Sequence, residues 1–490
     1  MCSWSEVDAL KLFLHNTKGR KLQEFKPLVP GKVGMYACGP TVYHYAHIGN
    51  LRSYVNEDFL RRTLDYMGFD VNHVVNITDV GHLTSDADVG EDKMEKGAAR
   101  EGRTVWEIAE HYTQVFWSDW KKLNLREPRH WPRATQYIAQ QIELVQALES
   151  RGFTYRTEDG IYFDTAKFPH YGDFAGIKAD DLQAGSRINM GDKKSPTDFA
   201  LWKFSPKDKQ RAMEWDSPWG VGFPGWHAEC SAMSGALIGT TLDIHCGGTD
   251  HIRVHHTNEI AQSECAHDGA EFARFWFHGE FLKVDGSKMS KSSGEFLTLS
   301  LLEEKGFLPL DYRWFCATAH YRKFLTFSWE NIAQARDAHR AFRRRVQPLI
   351  EAFEASRPTA PDIAEDALSK PAQSWQKQFE DAVGNDVNLP KVLGIAHSLL
   401  KAEDVSDLEK GRLLLDWDRI LGLNLTVVLP DPPKKEASPE LAAWIEERLA
   451  ARLAARDAKD WASSDAIRQE LSEKGVLVRD TPDGQAWSLF

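Results

Sequence analysis

Cysteine is scarce in this sequence, with six residues among 490. They are widely spaced along the chain, at Cys2, Cys38, Cys230, Cys246, Cys265 and Cys316. Secreted proteins that depend on disulfides carry cysteines at a much higher density, so this pattern argues against a disulfide framework. We therefore expect reduced cysteines and a cytoplasmic protein.

Long apolar runs are also missing. No stretch of about 18 apolar residues occurs, so we expect no membrane-spanning helix. The first residues, MCSWSEVDALKLFLHN, lack the basic start and apolar block of a secretory signal. Proline and glycine are not abundant, at 21 and 34 residues, and 11% of the residues are aromatic, which argues against long disordered segments.

An excess of positive charge is absent as well, because the formal net charge is -12. Phosphate binding depends on lysine and arginine, so the overall balance argues mildly against a nucleic-acid partner. A basic path can nevertheless lie on an acidic body, and the local distribution of charge decides. The length predicts several domains, since single hydrophobic cores stop growing at roughly 250–300 residues.

The patterning near the start of the chain is typical of an α/β fold. Segment 33–38 (VGMYAC) and segment 71–77 (VNHVVNI) predict buried strands. Between them, helical spacing ends at a glycine and predicts a helix, with apolar residues at Leu51, Val55, Phe59, Leu60, Leu64 and Met67. The order strand, helix, strand indicates a parallel sheet.

The pattern then changes along the chain. Residues from about 105 to 210 alternate helical stretches with turn-rich segments, which indicates an insertion into the sheet domain. Strand patterning returns at 241–245, and a helix is predicted from His255. After about Leu308 the chain looks all-helical, with proline-containing linkers at 356–373 and 429–439. We expect domains at 1–308, 309–428 and 440–490.

The first predicted strand runs into CGPTVYHYAHIGN, a segment suited to binding phosphate. Small residues such as Gly39, Thr41 and Gly49 allow a ligand to approach the N–H groups at a helix N-terminus, which attract anions. His47 can donate a hydrogen bond to phosphate, and Asn50 can bond a phosphate or ribose oxygen. On its own, the segment is more typical of a simple helix start with an incidental histidine.

A second segment, LKVDGSKMSKSSGE, carries two lysines on a small serine-rich loop at 288–292. Lys288 and Lys291 could close over a triphosphate and stabilise the leaving pyrophosphate, although a solvated lysine turn is the commoner fate of this spacing. Together, HIGN and KMSKS resemble the two signature sequences of class I aminoacyl-tRNA synthetases. The resemblance implies a Rossmann-like domain that binds Mg²⁺–ATP, with Asn50 standing where the signature usually has histidine.

Residues suited to zinc come from three distant segments. Cys38 ends the first strand, Cys230 lies in PGWHAECSAMSG, and His255 and Glu259 are spaced to share one face of a helix. Two thiolates, an imidazole and a carboxylate are a plausible zinc set, although buried cysteine is more often a core residue. Three neighbouring residues are rival ligands: Cys246, His251 and His256.

Five segments occur in the order found in the cysteinyl-tRNA synthetase family, at similar separations: CGPTVYHYAHIG, SPWGVGFPGWHAECSAM, IHCGGTD, HHTNEIAQSE and KMSKS. This resemblance runs through nearly the whole chain and implies one Zn²⁺ held by Cys38, Cys230, His255 and Glu259. Discrimination by size would reject serine by only about 1–3 kcal/mol. Zinc binds a thiolate far better than a hydroxyl, so no editing domain is required.

The same resemblance implies a substrate pocket. Asp250 would pair with the ammonium group of the amino acid, and Thr78, Trp226 and His245 would line the pocket. Gly248 and Asp250 would also lie beside ATP. Ordinary core packing for Trp226 and a strand-end cap for Thr78 are the alternatives.

Basic residues concentrate in the second half of the chain. One cluster is predicted on a helix, at Arg336, Arg340, Arg343, Arg344 and Arg345. A second recurs at helical spacing near two tryptophans, at Arg448, Arg452, Arg456, Lys459, Trp461 and Trp487. Basic residues at helical spacing more often form a solvent-exposed face of a helix. The resemblance implies instead a bundle that supports the tRNA stem and a terminal module that binds the anticodon.

The expected function is therefore ATP-dependent activation of L-cysteine and its transfer to tRNA(Cys), by a monomer. Two alternatives are a ligase that joins activated cysteine to a small amine and a non-catalytic RNA-binding relative. The basic C-terminal half argues against the first, and the intact KMSKS segment argues against the second.

Overall fold

The computed structural model describes residues 10–82, 92–176, 192–206, 210–284, 296–356, 368–430, 437–481 and 484–489. The strands are β1 (Phe13–Asn16), β2 (Lys21–Glu24), β3 (Lys32–Ala37), β4 (Asp70–Val75), β5 (Thr154–Arg156), β6 (Gly160–Phe163), β7 (Phe199–Phe204), β8 (Gly222–Pro224), β9 (Leu242–Gly248), β10 (Ala273–Gly279), β11 (Leu282–Val284), β12 (Leu325–Phe327), β13 (Val476–Thr481) and β14 (Gly484–Leu489).

The helices of the first part are α1 (Ile48–Tyr66), α2 (Lys93–Glu101), α3 (Val105–Lys122), α4 (Ile138–Ser150), α5 (Trp226–Leu237) and α6 (His255–Ala266). Those of the second part are α7 (Leu299–Glu304), α8 (Pro309–Ala317), α9 (Trp329–Ser356), α10 (Lys370–Gly384), α11 (Leu389–Leu399), α12 (Asp407–Leu421), α13 (Pro439–Asp457) and α14 (Trp461–Glu473).

The central sheet has four parallel strands in the order β10–β9–β3–β4, which confirms the predicted parallel sheet. Strand β3 pairs with β4 on one side and with β9 on the other, so the winding of the chain changes direction beside it. The carboxyl end of such a strand opens into a crevice, where ligands of open α/β sheets bind. Cys38 lies at this end of β3, and its backbone N–H donates to the carbonyl of Cys246, near the end of β9, at 3.3 Å.

Helix α1 forms where apolar spacing predicted it. Five of the six apolar positions are fully or almost fully buried: Leu51, Val55, Phe59, Leu60 and Leu64. The sixth, Met67, follows the last residue of the helix and is partly buried. Gly68 follows the helix with φ of +84°, a conformation that favours glycine and allows the chain to turn into β4.

A second, antiparallel sheet in the order β5–β6–β7–β8 packs on α4 and α5 around its own core, to which α6 also contributes. Its last strand, β8, lies beyond residue 210, where the sequence analysis placed the end of the insertion. Strand β8 has three residues, GFP, too few to show an alternating pattern.

The expectation that the chain is all-helical after Leu308 is wrong in two places. Strand β12 pairs in parallel with β11, and β13 and β14 form an antiparallel hairpin. In the hairpin, Val476 and Val478 alternate into the small core that α13 and α14 cover. The alternation spans few residues, but the sequence pair Asp-Gly that ends at Gly484, the first residue of β14, is a hairpin signal that the sequence analysis missed.

A buried charged cluster joins α1 to the helical bundle. Arg313 of α8 is fully buried and donates to Asp58 Oδ2 at 2.6 Å and to the carbonyl of Leu421 at 2.7 Å. Arg62 donates to the same carboxylate at 2.7 Å. Gly422 follows α12 with φ of +63°, and a Cβ there would lie 2.6 Å from the Arg313 guanidinium. The cluster therefore fixes the bundle against the helix that carries the HIGN segment.

Among the described helices, none combines the length and the apolar character needed to cross a membrane.

Candidate active site and metal centre

The HIGN segment forms the start of α1. His47 is the N-cap residue, and its Nδ1 accepts from the backbone N–H of Asn50 at 3.1 Å. Asn50 Oδ1 accepts from the backbone N–H of His47 at 3.3 Å, which completes a capping box. Asn50 therefore stabilises the N-terminus of α1. Because Nδ1 of His47 is an acceptor, Nε2 carries the ring proton and is a donor.

Burial lowers the pKa of His47, and the nearby charge of Asp250 offsets this only in part. The ring is therefore neutral near pH 7 in the free protein. A neutral imidazole can still donate from Nε2, and phosphate charge nearby would favour its protonation.

The residues that follow the KMSKS segment contact the start of α1. Phe296 packs edge-to-face on His44 and on His47, with ring centroids 4.5 and 5.9 Å apart. Leu297 accepts a hydrogen bond from the backbone N–H of Ile48 at 2.8 Å. Lys288 and Lys291 themselves lie outside the described residues. Residues 296 and 297, which follow the KMSKS segment in the chain, therefore lie beside the HIGN segment.

The CGPT turn lies against the end of β4. A Cβ on Gly39 would lie 1.5 Å from the backbone oxygen of Asn76, so only glycine fits there. Thr41 and Thr78 form an isolated parallel bridge, and the backbone N–H of Thr78 donates to Pro40 at 3.0 Å. These contacts place Thr78 beside the turn that the sequence analysis assigned to the nucleotide.

The four predicted zinc ligands lie together. Cys38 follows β3, Cys230 lies on α5, and His255 and Glu259 lie one turn apart on α6. Their donor atoms are all within 4.8 Å of one another, and all four side chains are buried. Cys230 Sγ is 3.6 Å from His255 Nε2, which is 2.7 Å from Glu259 Oε1.

Electrostatic coupling within this group is strong. Burial alone would lower the pKa of His255, but the charges of Glu259 and Cys230 and their hydrogen bonds to the ring together raise the pKa to about 10. Burial would likewise raise the pKa of Glu259, but His255 and His245 hold it well below its usual value. Burial raises the pKa of Cys38, while a hydrogen bond from Cys38 lowers the pKa of Cys230. The group therefore retains protons that a cation would displace.

The donor set fits Zn²⁺. Two sulfurs, one imidazole nitrogen and one carboxylate oxygen are ligands that zinc prefers. Within the described part of the chain, Glu259 Oε1 has no hydrogen-bond partner, although His255 Nε2 is 2.7 Å away. Its neighbour His255 Nε2 is itself a proposed ligand, so a cation bound between them would compensate the burial of both groups.

The rival ligands occupy different positions. Cys246 lies in the hydrophobic core, where burial raises the pKa of its thiol. Among the described residues, two sets of side chains are close enough to share a metal ion, and Cys246 belongs to neither of these metal-compatible groups. His256 lies 3.4 Å from Cys38 Sγ and forms a second group with Cys38, His245 and Glu259. The His251 ring contacts the His255 ring at 5.2 Å, outside both groups.

His245, which was expected to line the substrate pocket, is fully buried and belongs to the second metal-compatible group, with Cys38, His256 and Glu259. Its Nε2 lies 2.6 Å from Glu259 Oε2, and its ring stacks on Trp276 at 4.7 Å. This position holds the Glu259 carboxylate in a fixed orientation, which is the usual arrangement behind a metal ligand.

Two further predicted pocket residues are more exposed than the four proposed ligands. Trp226 is partly exposed, and its ring lies 4.7 Å from that of His255, with the Lys93 ammonium 5.1 Å from the indole. Asp250 is exposed just after β9. A Cβ on Gly248 would lie 2.3 Å from Asp250 Oδ1, so glycine at 248 allows this turn.

The arginine cluster of α9 is largely internal. Arg343 is buried and donates to the carbonyls of Leu423 and Asn424 at 2.6 and 2.9 Å. Arg336 is also buried, whereas Arg344 and Arg345 are exposed. The spacing of arginines in a sequence does not show whether their guanidinium groups face solvent or donate hydrogen bonds to the carbonyls of a neighbouring segment.

The basic row of the terminal module is likewise partly internal. Arg452 is buried and donates to Asp480 Oδ1 at 2.9 Å, and Arg456 donates to Asp480 Oδ2 at 2.7 Å. Trp487 donates to Glu446 at 2.7 Å. Trp461, by contrast, is 59% exposed, as a residue that stacks on an unpaired base must be.

The sequence analysis missed three polar residues beside Cys230: Asn76, His82 and Glu229. They are buried and linked through Thr78 by hydrogen bonds. The available signal was a glutamate on the apolar helix stretch WHAECSAM, where an unpaired charge would be costly.

Comparison with known proteins identifies the family. The family model "tRNA synthetases class I (C) catalytic domain" matches residues 24–337, and "Cysteinyl-tRNA ligase anticodon binding domain" matches residues 438–487. The chain is 48% identical to cysteine–tRNA ligase 1 of Burkholderia lata, over 97% of this chain and 96% of that protein. It is 42% identical to cysteine–tRNA ligase of Treponema denticola, over 98% of this chain and 99% of that protein.

Solved structures support the fold. The chain is similar to methionyl-tRNA synthetase of Mycobacterium tuberculosis, with a TM-score of 0.52, 16% identity, and coverage of 81% of this chain and 90% of that one. It is also similar to the LeuRS of Agrobacterium radiobacter in a complex with tRNA, with a TM-score of 0.58, 12% identity, and coverage of 81% and 84%. With the sequence matches over nearly its whole length, the chain belongs to the cysteinyl-tRNA synthetase family of class I.

Proposed function

We propose that this protein activates L-cysteine with Mg²⁺–ATP and transfers the cysteinyl group to tRNA(Cys). The observation that carries the proposal is the buried group of Cys38, Cys230, His255 and Glu259, with donor atoms within 4.8 Å of one another. Beside it, β3 ends in the CGPT turn and α1 begins at the HIGN segment. A thiol-selective site and a phosphate-binding helix start therefore share one crevice.

Substrate choice would depend on the four side chains of the metal-compatible group. We propose that they hold one Zn²⁺, which supplies a soft cation that binds the thiolate of cysteine and matches the hydroxyl of serine poorly. Trp226 covers His255 and would limit the pocket to a small side chain. His245 keeps the Glu259 carboxylate in place.

The activation step would rest on positioning and charge stabilisation. The substrate carboxylate is itself a nucleophile, so attack on the α-phosphate needs no general base. The N–H groups at the start of α1 and the Nε2–H of His47 face developing negative charge. Lys288 and Lys291 are proposed to stabilise the leaving pyrophosphate. Asp250 would pair with the substrate ammonium, near Gly248 and the ATP.

The transfer step needs tRNA contacts from the rest of the chain. We propose that the bundle, residues 309–428, supports the tRNA stem and that the module, residues 440–490, binds the anticodon. The exposed Trp461 supports this assignment, because its indole is accessible for stacking. We place the reaction in the cytoplasm and assign it to a monomer.

Two assays test the proposal in sequence. Cysteine-dependent exchange of pyrophosphate into ATP measures activation, and charging of a tRNA with a GCA anticodon measures transfer. We expect both activities, with serine inactive in exchange. Exchange without charging would instead indicate a ligase that transfers cysteine to a small amine, and tRNA binding without exchange would indicate a non-catalytic relative.

Two variants test the residues. Cys230→Ser should lose bound zinc and cysteine activation while the protein stays folded. Lys291→Ala should slow exchange with little effect on the affinity for cysteine, because its charge acts on the leaving group. Wild-type exchange in a zinc-free Cys230→Ser protein would refute the metal assignment, and unchanged exchange in Lys291→Ala would refute the role of that lysine.

A further inference from the structure

A buried row of hydrogen bonds runs along the wall of the site beside Cys230. The backbone N–H of Gly39 donates to Asn76 Oδ1 at 2.7 Å, and Asn76 Nδ2 donates to Thr78 Oγ1 at 3.0 Å. Thr78 Oγ1 lies 2.9 Å from Glu229 Oε2, and the other oxygen of Glu229 contacts His82 Nε2. The side chains in this row are buried, and that of Glu229 is fully buried.

The directions of the first three bonds in the row, from Gly39 to Glu229, follow from its first member. A backbone N–H can only donate, so the atom of Asn76 that faces Gly39 is the oxygen, and the amide nitrogen faces Thr78. Thr78 Oγ1 must then accept from Asn76, and its own O–H is directed to the Glu229 carboxylate. One lone pair of the hydroxyl remains, so Thr78 can accept one further hydrogen bond but cannot donate one.

The row lies next to the proposed zinc ligands. Asn76 Oδ1 is 4.0 Å from Cys230 Sγ, and Glu229 precedes Cys230 on α5. A cysteine whose sulfur lies at this group carries its amino group three bonds away, within the same wall. An ammonium group has three donors and no acceptor, which matches a hydroxyl that can only accept.

We propose that Glu229 is a positioning residue that selects the α-ammonium group of the substrate through Thr78. It orients the threonine hydroxyl as an acceptor and places a negative charge directly behind it. The assignment deepens the proposed function and rests on it, because it presumes that cysteine occupies this site. It predicts selectivity for the amino group that is separate from selectivity for sulfur.

The test compares L-cysteine with 3-mercaptopropionate, which keeps the thiol and the carboxylate but lacks the amino group. Dissociation constants are measured for both compounds on the zinc-loaded protein, together with its zinc content. Glu229→Gln removes the charge and releases the orientation of the hydroxyl. We expect cysteine to bind about 10- to 100-fold more weakly, as for loss of a hydrogen bond to a charged group. Binding of 3-mercaptopropionate should not change.

A matched pair of further variants separates positioning from general damage. Thr78→Val keeps the shape of the side chain and removes the acceptor, so it should reproduce the selective loss for cysteine. The double variant should be no weaker than either single one, since Glu229 acts through Thr78. Asp243→Asn is the control: the buried Asp243 carboxylate of β9 accepts from the backbone N–H groups of Leu28 and of Gly34 on β3 and forms no bond to the row. It should leave the ratio of the two constants unchanged.

Equal weakening of both ligands in Glu229→Gln and Thr78→Val, or additive losses in the double variant, would overturn the role of Glu229. A wild-type protein that activates no cysteine would overturn the proposed function instead. The two failures are therefore distinct.

Discussion

Replacing Arg313 by methionine tests whether the buried charged cluster fixes the bundle against α1. The guanidinium is fully buried and donates to Asp58 at 2.6 Å, to Leu421 at 2.7 Å and to Leu123 at 3.2 Å. Breaking a buried ion pair costs about 3–5 kcal/mol. Asp58 keeps Arg62 as a partner at 2.7 Å, so we expect the lower end, about 3 kcal/mol.

The measurement is urea-induced unfolding followed by tryptophan fluorescence. Arg344→Met is the matched control, because Arg344 lies on α9 with an exposed side chain. We expect the control to change the free energy of unfolding by less than about 0.5 kcal/mol. If Arg313→Met fell within the same range, the cluster would not hold the domains together, and the reasoning from burial and hydrogen bonding would be refuted.

Three further predictions concern pH, metal and RNA. Burial lowers the pKa of His73 from 6.5 to about 3, so the folded state cannot take the proton that the unfolded chain binds below pH 6.5. The free energy of unfolding therefore decreases as the pH falls, by about 2 kcal/mol at pH 5. The decrease in Tm between pH 7 and pH 5 should be smaller in His73→Leu than in the wild-type protein. An equal decrease in both proteins would contradict this prediction. Zinc content should be retained in Cys246→Ala and lost in Cys230→Ser, and loss in both would restore Cys246 as a ligand. Trp461→Ala should weaken tRNA binding without slowing pyrophosphate exchange; unchanged tRNA affinity would remove this stacking contact.

The parts of the fold that could be predicted have strong local patterns. Helix α1 follows from apolar residues at helical spacing that end at Gly68, and β3 and β4 follow from short apolar runs. The hairpin of β13 and β14 was missed because few residues alternate and the preceding helices dominate the pattern. Short strands acquire their stability from pairing partners, which a local pattern does not contain.

The four proposed zinc ligands were predicted because their chemistry is distinctive and because their segments resemble those of a known family. Their supporting residues were not predictable in the same way. Glu229 and His245 are defined by contacts across 151 and 14 residues of sequence, to Thr78 and Glu259. Neither contact leaves a periodic signal.

The arginines of α9 show the opposite error. Their spacing is typical of a basic surface, yet Arg343 donates three hydrogen bonds to carbonyls of the segment 423–427. Whether a guanidinium faces solvent or caps a neighbouring loop depends on tertiary packing alone.

Cobalt substitution tests the central claim most directly. Co²⁺ replaces Zn²⁺ in sites of this composition and gives a charge-transfer absorption in the near ultraviolet for each bound thiolate. If Cys38 and Cys230 hold the ion, the cobalt protein should show this absorption, and it should increase when L-cysteine adds a third sulfur but not when L-serine is added. No thiolate-to-cobalt absorption, or the same response to serine as to cysteine, would contradict a metal that selects the substrate by its sulfur.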